Sequence, residues 1–262
     1  MTSAHARSAT DGPTLAERVA AIECWYHRID LGDGVVTPGA FDMAKYVHHY
    51  PIPDDLAGAR VLDVGCSNGW FSAEFERRGA REVVALDLPS WVSHDWSPRY
   101  RREYLQRPDE ERAHVDRTIM TDGFALVMEA LGCERVRKVE MSIYDVAPEE
   151  LGRFDLVLCG SMLMHVRDPL RGLHAIRRAC ADDALFVVSA STAFADRPEP
   201  IAAFVGEWDQ CNFWQMNPAC LRRMLEVADF ELEGAPVLYD QRAEVHDFVD
   251  PIAVQAARPR RA

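Results

Sequence analysis

The chain has 262 residues, of which 48% are hydrophobic, and a formal net charge of -13 at pH 7. This length suits one α/β domain with additions. The acidic balance argues against a wide basic surface, and therefore against nucleic acid as a partner. We find no run that is long and apolar enough for a signal core or a membrane span, so the sequence predicts a cytoplasmic protein with no membrane association.

The seven cysteines lie mostly inside apolar runs, as at Cys66, Cys159 and Cys180. They form no C-x-x-C pair, and no cluster of His and Cys has the spacing of metal ligands. The sequence therefore predicts reduced, buried thiols and no metal site.

The first 50 residues are predicted to form a tail and a helical lid, ahead of a main domain at residues 51–258. Residues 1 to about 13 are expected to be disordered. Helical periodicity covers residues 14–26, where apolar residues share one face of the predicted helix. Glycine and proline turn signals then mark residues 25–39, and a further helix is predicted at residues 41–49.

From Arg60 onward, apolar strands alternate with helices, which predicts a doubly wound and mostly parallel α/β sheet. A polar stretch at residues 89–112 is predicted to be irregular, and residues 191–216 are predicted to be an aromatic-rich insertion on the substrate side. Strands are predicted at residues 60–64, 82–86, 136–141, 154–159 and 184–189, with a closing pair near 230–239 and 245–256. Helices are predicted at residues 70–78, 116–132, 168–178 and 218–228.

The most specific motif links the first two strands. A buried strand leads into a glycine-bearing turn, a helix, and a second strand that ends in Asp87. The turn carries Gly65 and Gly69 after Asp63, in the pattern D-x-G-x-S-x-G. A dinucleotide fingerprint needs G-x-G-x-x-G, so that a pyrophosphate can sit on the helix N-terminus, and this spacing is not met. Glycine lets the backbone pass close to a ligand, and an acid at the next strand end can hold two ribose hydroxyls.

This pattern resembles the first motif of class I S-adenosylmethionine (SAM) methyltransferases, whose usual form is D/E-x-G-x-G-x-G, and the likeness covers residues 58–192. The resemblance implies a seven-stranded, mostly parallel Rossmann-like sheet that closes with an antiparallel hairpin. It also implies SAM as the cofactor, with the loops after the third and fourth strands flanking the adenine and meeting the methionyl part. Carried over residue by residue, the expected cofactor-binding residues are Asp63, Gly65, Cys66, Ser67, Gly69, Asp87, Leu88, Ser142, Ile143, Tyr144 and Gly160.

A narrower likeness surrounds this core. The segments WYHRIDLGDGVVTPG and NFWQMNPACLRRMLEVADF resemble the branch related to tRNA uridine-34 5-oxyacetic acid carboxymethyltransferases. The tRNA enzymes of that branch use a carboxylated SAM held by extra basic residues, and they carry a longer helical N-terminal region. Neither feature is evident in this sequence. We therefore expect the fold and the SAM site to carry over, but not the tRNA substrate.

Candidates for catalysis and acceptor binding follow from their positions. His165 follows the fourth strand, where the methyl group is expected, and a neutral imidazole there can take a proton from the acceptor. The alternative is a structural histidine that caps the next turn. Tyr26 and His27 are the next candidates, as parts of a lid that bonds the SAM carboxylate. Aromatic residues that line the acceptor pocket, or simply pack, are Trp25, Trp208, Phe213 and Trp214.

Together these residues predict SAM-dependent methyl transfer to a small-molecule acceptor, in secondary metabolism. Three alternatives stay open: a transferase that modifies the tRNA wobble uridine, a SAM cyclase or lyase that releases methylthioadenosine, and a SAM-binding module without catalysis. The sequence does not decide whether carbon, nitrogen or oxygen is methylated. It also leaves both a monomer and a homodimer open.

Overall fold

A seven-stranded sheet organises the computed structural model, which describes residues 12–119, 123–206 and 212–261. The order across the sheet confirms the predicted doubly wound, mostly parallel fold. The strands are β1 (Arg60–Val64), β2 (Glu82–Asp87), β3 (Val136–Glu140), β4 (Phe154–Gly160), β5 (Cys180–Ser191), β6 (Ala202–Phe204), β7 (Trp214–Met216), β8 (Phe230–Arg242) and β9 (Val249–Pro259). Their order in the main sheet is β3-β2-β1-β4-β5-β9-β8, with β1 to β5 parallel and β9 antiparallel to both neighbours.

Helices cover both faces of this sheet, which is why the central strands are apolar on both sides. The helices are α1 (Leu15–Ala20), α2 (Trp70–Arg77), α3 (Pro98–Leu105), α4 (Asp109–Ile119), α5 (Phe124–Ala130), α6 (Pro148–Leu151), α7 (Pro169–Ala179) and α8 (Pro218–Val227). On one face, Phe71 and Phe75 of α2 pack against Val61 and Val83. On the other face, α7 and α8 pack against β4 and β5.

The N-terminal helix is shorter than predicted, because α1 ends at Ala20 rather than near residue 26. Contacts outside the helix compete for the following residues. The indole Nε1 of Trp25 donates to the carbonyl oxygen of Val19 at 3.2 Å, and the backbone N–H of Tyr26 donates to the Asn68 side chain at 2.7 Å. The chain therefore leaves the helix and crosses the turn after β1.

The predicted helix at residues 41–49 is also wrong. Two one-turn 3-10 helices, Met43–Lys45 and Val47–His49, take its place. The side chain of Tyr50 then enters the sheet packing, and its hydroxyl donates to Ser189 Oγ at 3.3 Å. A continuous α-helix is replaced because this segment packs on the face of the sheet that α2 covers, through contacts distant in sequence.

Residues 89–119, which we call the cap, are largely helical, although the sequence predicts residues 89–112 to be irregular. The cap contains a 3-10 turn at Trp91–Ser93, followed by α3 and α4. Ser97 begins α3, since its hydroxyl accepts the N–H of Tyr100 at 3.2 Å and Pro98 takes the first helical position. The predicted helix at residues 116–132 is divided, because α4 ends at residue 119 and α5 begins at residue 124.

One buried aromatic cluster holds the cap on the domain. Its members are Trp91, Trp96 and Tyr104 from the cap and Phe213 from the insertion. Burying aromatic rings of this size supplies much of the stability of such a small unit. Because Phe213 is remote in sequence, the pattern of residues 89–119 alone does not reveal this packing.

The insertion at residues 191–216 contains a short hairpin, in which β6 pairs antiparallel with β7. The rings of Phe204 and Trp214 face each other across it, with centroids 5.1 Å apart. The N–H of Phe213 donates to the carbonyl of Met164 at 2.8 Å, so the hairpin lies against the turn that carries His165.

The described part of the chain was searched for membrane-spanning helices, disulfides and metal-binding groups. None of its helices is both long and apolar enough to traverse a bilayer. Its cysteines, a set that leaves out Cys211, are free thiols. Within the same ranges, no three His, Cys, Asp or Glu side chains are grouped so that they could hold a metal ion.

Gly39 has no room for a side chain, because a Cβ atom there would lie 2.1 Å from both the carbonyl carbon and the carbonyl oxygen of His27. We expect Gly39→Ala to lower the free energy of unfolding by about 1–3 kcal/mol, the usual cost of overpacking. Gly12→Ala is the control, since nothing lies within 4 Å of a Cβ atom there. Urea unfolding measures both variants, and equal stability of the two would contradict this close approach.

Candidate active site

A cavity of about 320 Å³ opens at the carboxyl edge of the sheet. It lies where β1 has β2 on one side and β4 on the other, the point at which the strand order reverses. Open α/β sheets bind their ligands at such switch points, and the volume is typical of a compact small-molecule site. The expected residues that line the cavity are Tyr26, Gly65, Ser67, Asp87, Leu88, Ser142, Ile143, Tyr144, Gly160 and His165.

The turn after β1 is built on left-handed backbone. Gly65 has φ +79° and Gly69 has φ +86°. A Cβ atom on Gly65 would lie 2.5 Å from Met162 Sδ, and one on Gly69 would lie 2.8 Å from Phe124. Both positions therefore require glycine, for conformation and for space. Ser67, at the middle position of the motif, also adopts a positive φ of 51°, which a serine tolerates at a small energetic cost.

Asp87 ties this turn to the end of β2. Its Oδ2 atom accepts the backbone N–H of Ser67 at 2.8 Å, and its Oδ1 atom accepts that of Leu88 at 2.8 Å. Each carboxylate oxygen has further lone-pair capacity, and the side chain lines the cavity. Asp87 can thus accept hydrogen bonds from a pair of ligand hydroxyls while it holds both loops.

Three of the expected cofactor residues are absent from the described cavity wall: Asp63, which lies in β1, and Cys66 and Gly69, which belong to the turn itself. Asp63 is 3% exposed and accepts the hydroxyl of Ser72 at 2.6 Å. Burial, with a smaller contribution from Asp87, raises the pKa of Asp63 to about 7. Burial also raises the pKa of the Cys66 thiol. These residues therefore support the shape of the turn.

The loop after β3 supplies an apolar wall and a polar anchor. Ile143 is 4% exposed and packs against Gly172, where an added Cβ would lie 3.1 Å from its Cδ1. Ser142 starts the loop, and its hydroxyl accepts the N–H of Tyr144 at 3.3 Å. The Tyr144 ring lies under the guanidinium of Arg171, 4.5 Å from its centroid. The apolar Ile143 thus faces a ligand while Tyr144 is held at the rim.

Asp95 clamps the cap to this rim. Its carboxylate accepts the hydroxyl of Tyr144 at 2.6 Å, and the backbone N–H and Nε of Arg167 at 2.8 and 2.7 Å. Burial opposes ionisation of this group, but the bonds from Arg167 and Tyr144 prevail and hold the pKa of Asp95 below its usual value. The cap is therefore fastened to the loops after β3 and β4 by charge-assisted bonds.

Asn68 fastens the N-terminal segment to the same turn from the other side. Its Oδ1 atom accepts the backbone N–H groups of Tyr26 at 2.7 Å and His27 at 3.2 Å. The Tyr26 ring is 40% exposed and lines the cavity, where burial of the hydroxyl raises its pKa. His27 is 5% exposed, lies outside the described cavity wall, and has its pKa lowered by burial to about 3. Of the two lid candidates, the structure brings only Tyr26 to the site.

The expected acceptor aromatics pack elsewhere. Trp25 is buried against Gly123, where a Cβ atom would lie 2.5 Å from its ring. Phe213 belongs to the aromatic cluster of the cap, and Trp214 donates through Nε1 to the carbonyl of Arg167 at 3.3 Å. None of these three lies on the described cavity wall. Trp208 lies outside the described residues.

His165 occupies a 3-10 turn after β4 and lines the cavity, as the sequence predicts. The cap contributes a group of cavity residues that the sequence does not predict. The only local signal for this segment is the Ser97-Pro98 helix start. The missed cap residues on the cavity wall are Trp91, Ser93, His94, Asp95 and Arg101. Outside the cap, the cavity is also lined by residues that were not predicted, namely Leu86, Met141, Ser161, Met162 and Val166.

Comparisons with known proteins agree with this geometry. A family model described as a methyltransferase domain matches residues 42–234. The ubiquinone biosynthesis O-methyltransferase of Xanthomonas oryzae pv. oryzae is 39% identical over 127 residues, which are 48% of this chain and 39% of that protein. The chain thus spans about two fifths of the length of this curated relative.

Two solved structures share the fold at 18% identity. The N-terminal domain of EvdMO1, solved with SAH bound, superposes with a TM-score of 0.57 over 94% of this chain and 96% of that one. The 1,6-didemethyltoxoflavin-N1-methyltransferase of Burkholderia thailandensis, with bound 1,6-didemethyltoxoflavin and S-adenosylhomocysteine, gives 0.50 over 78% and 72%.

The sheet order and the glycine turn facing an acidic strand end define a Rossmann-like methyltransferase. The chain belongs to the methyltransferase-domain family, whose model covers most of its length. The predictions of the fold and of a SAM-dependent methyltransferase are confirmed at this level. The narrower branch of tRNA carboxymethyltransferases stays a prediction.

Asp63 should make stability depend on pH. Its pKa is about 7 in the folded protein against 3.8 ordinarily, so the folded state binds a proton that the unfolded state has already lost. This contribution is complete below pH 4 and is lost as the pH rises through 7, a change of a few kcal/mol at most. Asp63→Asn keeps an acceptor for Ser72 and does not titrate.

We therefore expect Asp63→Asn to gain stability relative to the wild type between pH 5 and pH 8. Urea unfolding of both proteins at the two pH values measures the difference, and other titrating groups cancel because both proteins contain them. A difference that stays constant with pH would show that Asp63 does not titrate in this range.

Proposed function

We propose that this protein transfers a methyl group from SAM to a hydroxyl oxygen of a small-molecule acceptor. The observation that carries the proposal is the pairing of a left-handed glycine turn with the Asp87 carboxylate on one cavity wall. Oxygen is chosen as the acceptor atom because the curated relative is named an O-methyltransferase. Its whole length is not matched, so the acceptor is inferred as a class only.

The residues of the cavity suit the parts of SAM. Asp87 would accept the two ribose hydroxyls, as an acid at this strand end does in nucleotide sites. Leu88 and Ile143 offer apolar surfaces for the adenine ring. Gly65 and Gly160 leave their backbone open for the methionyl part, since neither carries a side chain. When bound, SAM supplies a methyl group made electrophilic by its sulfonium.

The remaining work of the protein is alignment and exclusion of water. Tyr26 lines the cavity from the N-terminal segment and Trp91 lines it from the cap, and Asn68 and Asp95 fasten these two segments. Holding an acceptor in line with the methyl group replaces a bimolecular encounter by a positioned one, which is a large part of the catalytic advantage. A closed wall also keeps water from competing with the acceptor.

A small molecule suits this cavity better than tRNA does. The cavity is compact, its charged residues are Asp87, Asp95 and Arg101, and the whole chain carries a net charge of -13. A polynucleotide needs basic residues along its path, and this balance opposes it. A role in secondary metabolism is part of the proposal and rests on the sequence resemblance.

A product assay separates the proposed function from its rivals. The protein is incubated with SAM alone, with a panel of catechols, phenols and hydroxybenzoates, and with unmodified tRNA. We expect S-adenosylhomocysteine and a methyl ether only when a hydroxylated acceptor is present. Methylthioadenosine formed from SAM alone would indicate a cyclase or lyase, and a labelled tRNA would indicate the tRNA reaction. If no product forms from SAM in any of these incubations, the protein is a SAM-binding module without catalysis and the proposal is wrong.

Asp87→Ala should weaken SAM binding by roughly 1.5–3 kcal/mol, the usual range for hydrogen bonds to a charged group. Isothermal titration calorimetry measures the affinity, and thermal unfolding checks that the variant folds. Asp182→Ala is the matched control. Asp182 is an exposed carboxylate near the start of β5, whereas the cavity lies at the carboxyl edge of the sheet, where β5 ends. Equal affinity of the two folded variants for SAM would remove Asp87 from the cofactor site.

A further inference from the structure

His94 is a second imidazole on the cavity wall, and the sequence analysis does not single it out. It directly follows the 3-10 turn Trp91–Ser93 in the cap. His165 lines the same cavity from the loop after β4. The site therefore holds two histidines: His94 from the connection after β2 and His165 from the loop after β4.

One hydrogen bond defines the tautomer of His94. Its Nδ1 atom lies 3.1 Å from the carbonyl oxygen of Trp91. A carbonyl oxygen can only accept, so the proton of the neutral ring resides on Nδ1. Nε2 then carries a lone pair. His94 lines the cavity, and the hydrogen bond of its ring to the Trp91 carbonyl uses Nδ1 rather than Nε2.

The surroundings keep this ring neutral at pH 7. Burial lowers the pKa of His94 below its usual value. It outweighs the backbone hydrogen bonds to Trp91 and Ser90 and the charges of Asp87 and Asp116, which raise the pKa. Arg101 of α3 donates to the backbone carbonyl of His94 at 3.4 Å, so a cation also lies nearby. The other charged or titratable groups that share the cavity with it are Tyr26, Asp95, Tyr144 and His165.

We propose that Nε2 of His94 is the general base that takes the proton of the acceptor hydroxyl, and that the acceptor is a phenol. This inference rests on the proposed function and names the substrate class of the same site. As the acceptor oxygen forms its bond to the methyl carbon, its O–H bond breaks and the proton passes to Nε2. The bond between that carbon and sulfur breaks with its electron pair going to sulfur, so the positive charge moves from the sulfonium to the imidazolium.

Two arguments favour a phenol over an aliphatic alcohol as the acceptor: the acidity of its hydroxyl and the aromatic ring beside His94. A phenol has a pKa near 10, so a weakly basic imidazole can assist its deprotonation, whereas an aliphatic hydroxyl is far less acidic. The indole ring of Trp91 lies 4.9 Å from the His94 ring and lines the same cavity, so an aromatic surface adjoins the base. The edge of this ring that reaches the cavity can contact a planar acceptor whose hydroxyl is directed at Nε2.

The kinetic test compares three histidine variants with a catechol acceptor. His94→Ala should lower kcat by roughly 10²–10⁴-fold, the usual contribution of a positioned base, with the Kd for SAM unchanged. His174→Ala is the matched control, since His174 is exposed on α7. His165→Ala decides between the two imidazoles of the cavity.

The pH profile gives a readout that a structural role would not move. The base must be neutral, so the wild-type rate should fall as the pH drops through a pKa below about 6.5, the ordinary histidine value. His94→Ala should lose this acid limb, and added imidazole should restore part of its rate. If His165→Ala loses the limb and His94→Ala keeps it, the assignment is overturned in favour of His165. A His94→Ala variant with normal kcat and weakened SAM binding makes His94 a cofactor contact and also overturns it.

Nitrogen NMR of the histidine rings tests the tautomer without turnover. At pH 7 the His94 signals, assigned by their loss in His94→Gln, should show a proton on Nδ1 and none on Nε2. The Nε2 signal should shift when 4-nitrocatechol is added with S-adenosylhomocysteine. A proton on Nε2 in the neutral ring, or a charged ring, contradicts the proposal.

Failure of the proposed function is distinguishable from failure of this assignment. A wild-type protein that methylates no hydroxylated acceptor overturns both. A wild type that methylates catechols, together with a His94→Ala variant that does so at the same rate, overturns only the role of His94. A wild type that methylates aliphatic alcohols but no phenols overturns the substrate class.

Discussion

The site depends on the carboxylate of Asp87, because this one side chain bonds the backbone of two loops that line the cavity. It bonds the backbone of Ser67 in the turn after β1 and that of Leu88 after β2. The next residue in the turn, Asn68, bonds the backbone of Tyr26, and so positions a cavity wall that comes from the N-terminus. A single chain of bonds therefore runs from the sheet edge to the segment above it. Glycine at residue 65 makes this possible, since the turn needs left-handed backbone.

The sheet could be predicted because its information is local. Each parallel strand is a short apolar run, and the start of α8 shows in the pair Asn217 and Pro218, whose cap bond the structure contains. Part of the cavity wall could also be predicted, since Asp87 and the glycine turn follow directly from strand ends. The loop after β3 could be predicted to reach the cavity for the same reason.

The cap and the N-terminal segment could not be predicted, because distant residues decide their structure. Trp25 and Phe213 are the kind of residue that lines a pocket, yet each is used for packing against a partner remote in sequence. His94 is the reverse case, because the sequence does not predict it at the site and the structure places it on the cavity wall. Its sequence context is polar and irregular, and only the carbonyl of Trp91 and the position of the cap make it a candidate base. Residue type alone does not separate a packing aromatic from a pocket wall.

The cap joins β2 to β3 outside the carboxyl edge of the sheet, while these strands stay in register from Val83 opposite Val136 to Asp87 opposite Glu140. Its length and sequence can therefore change without moving a strand. Insertions of this kind are the cheapest variation an α/β protein can accept, because they alter a surface connection and spare the core. If acceptor choice resides in the cap and cofactor binding in the sheet, selection can act on one while leaving the other intact, and descendants of this chain can acquire new acceptors through this one segment.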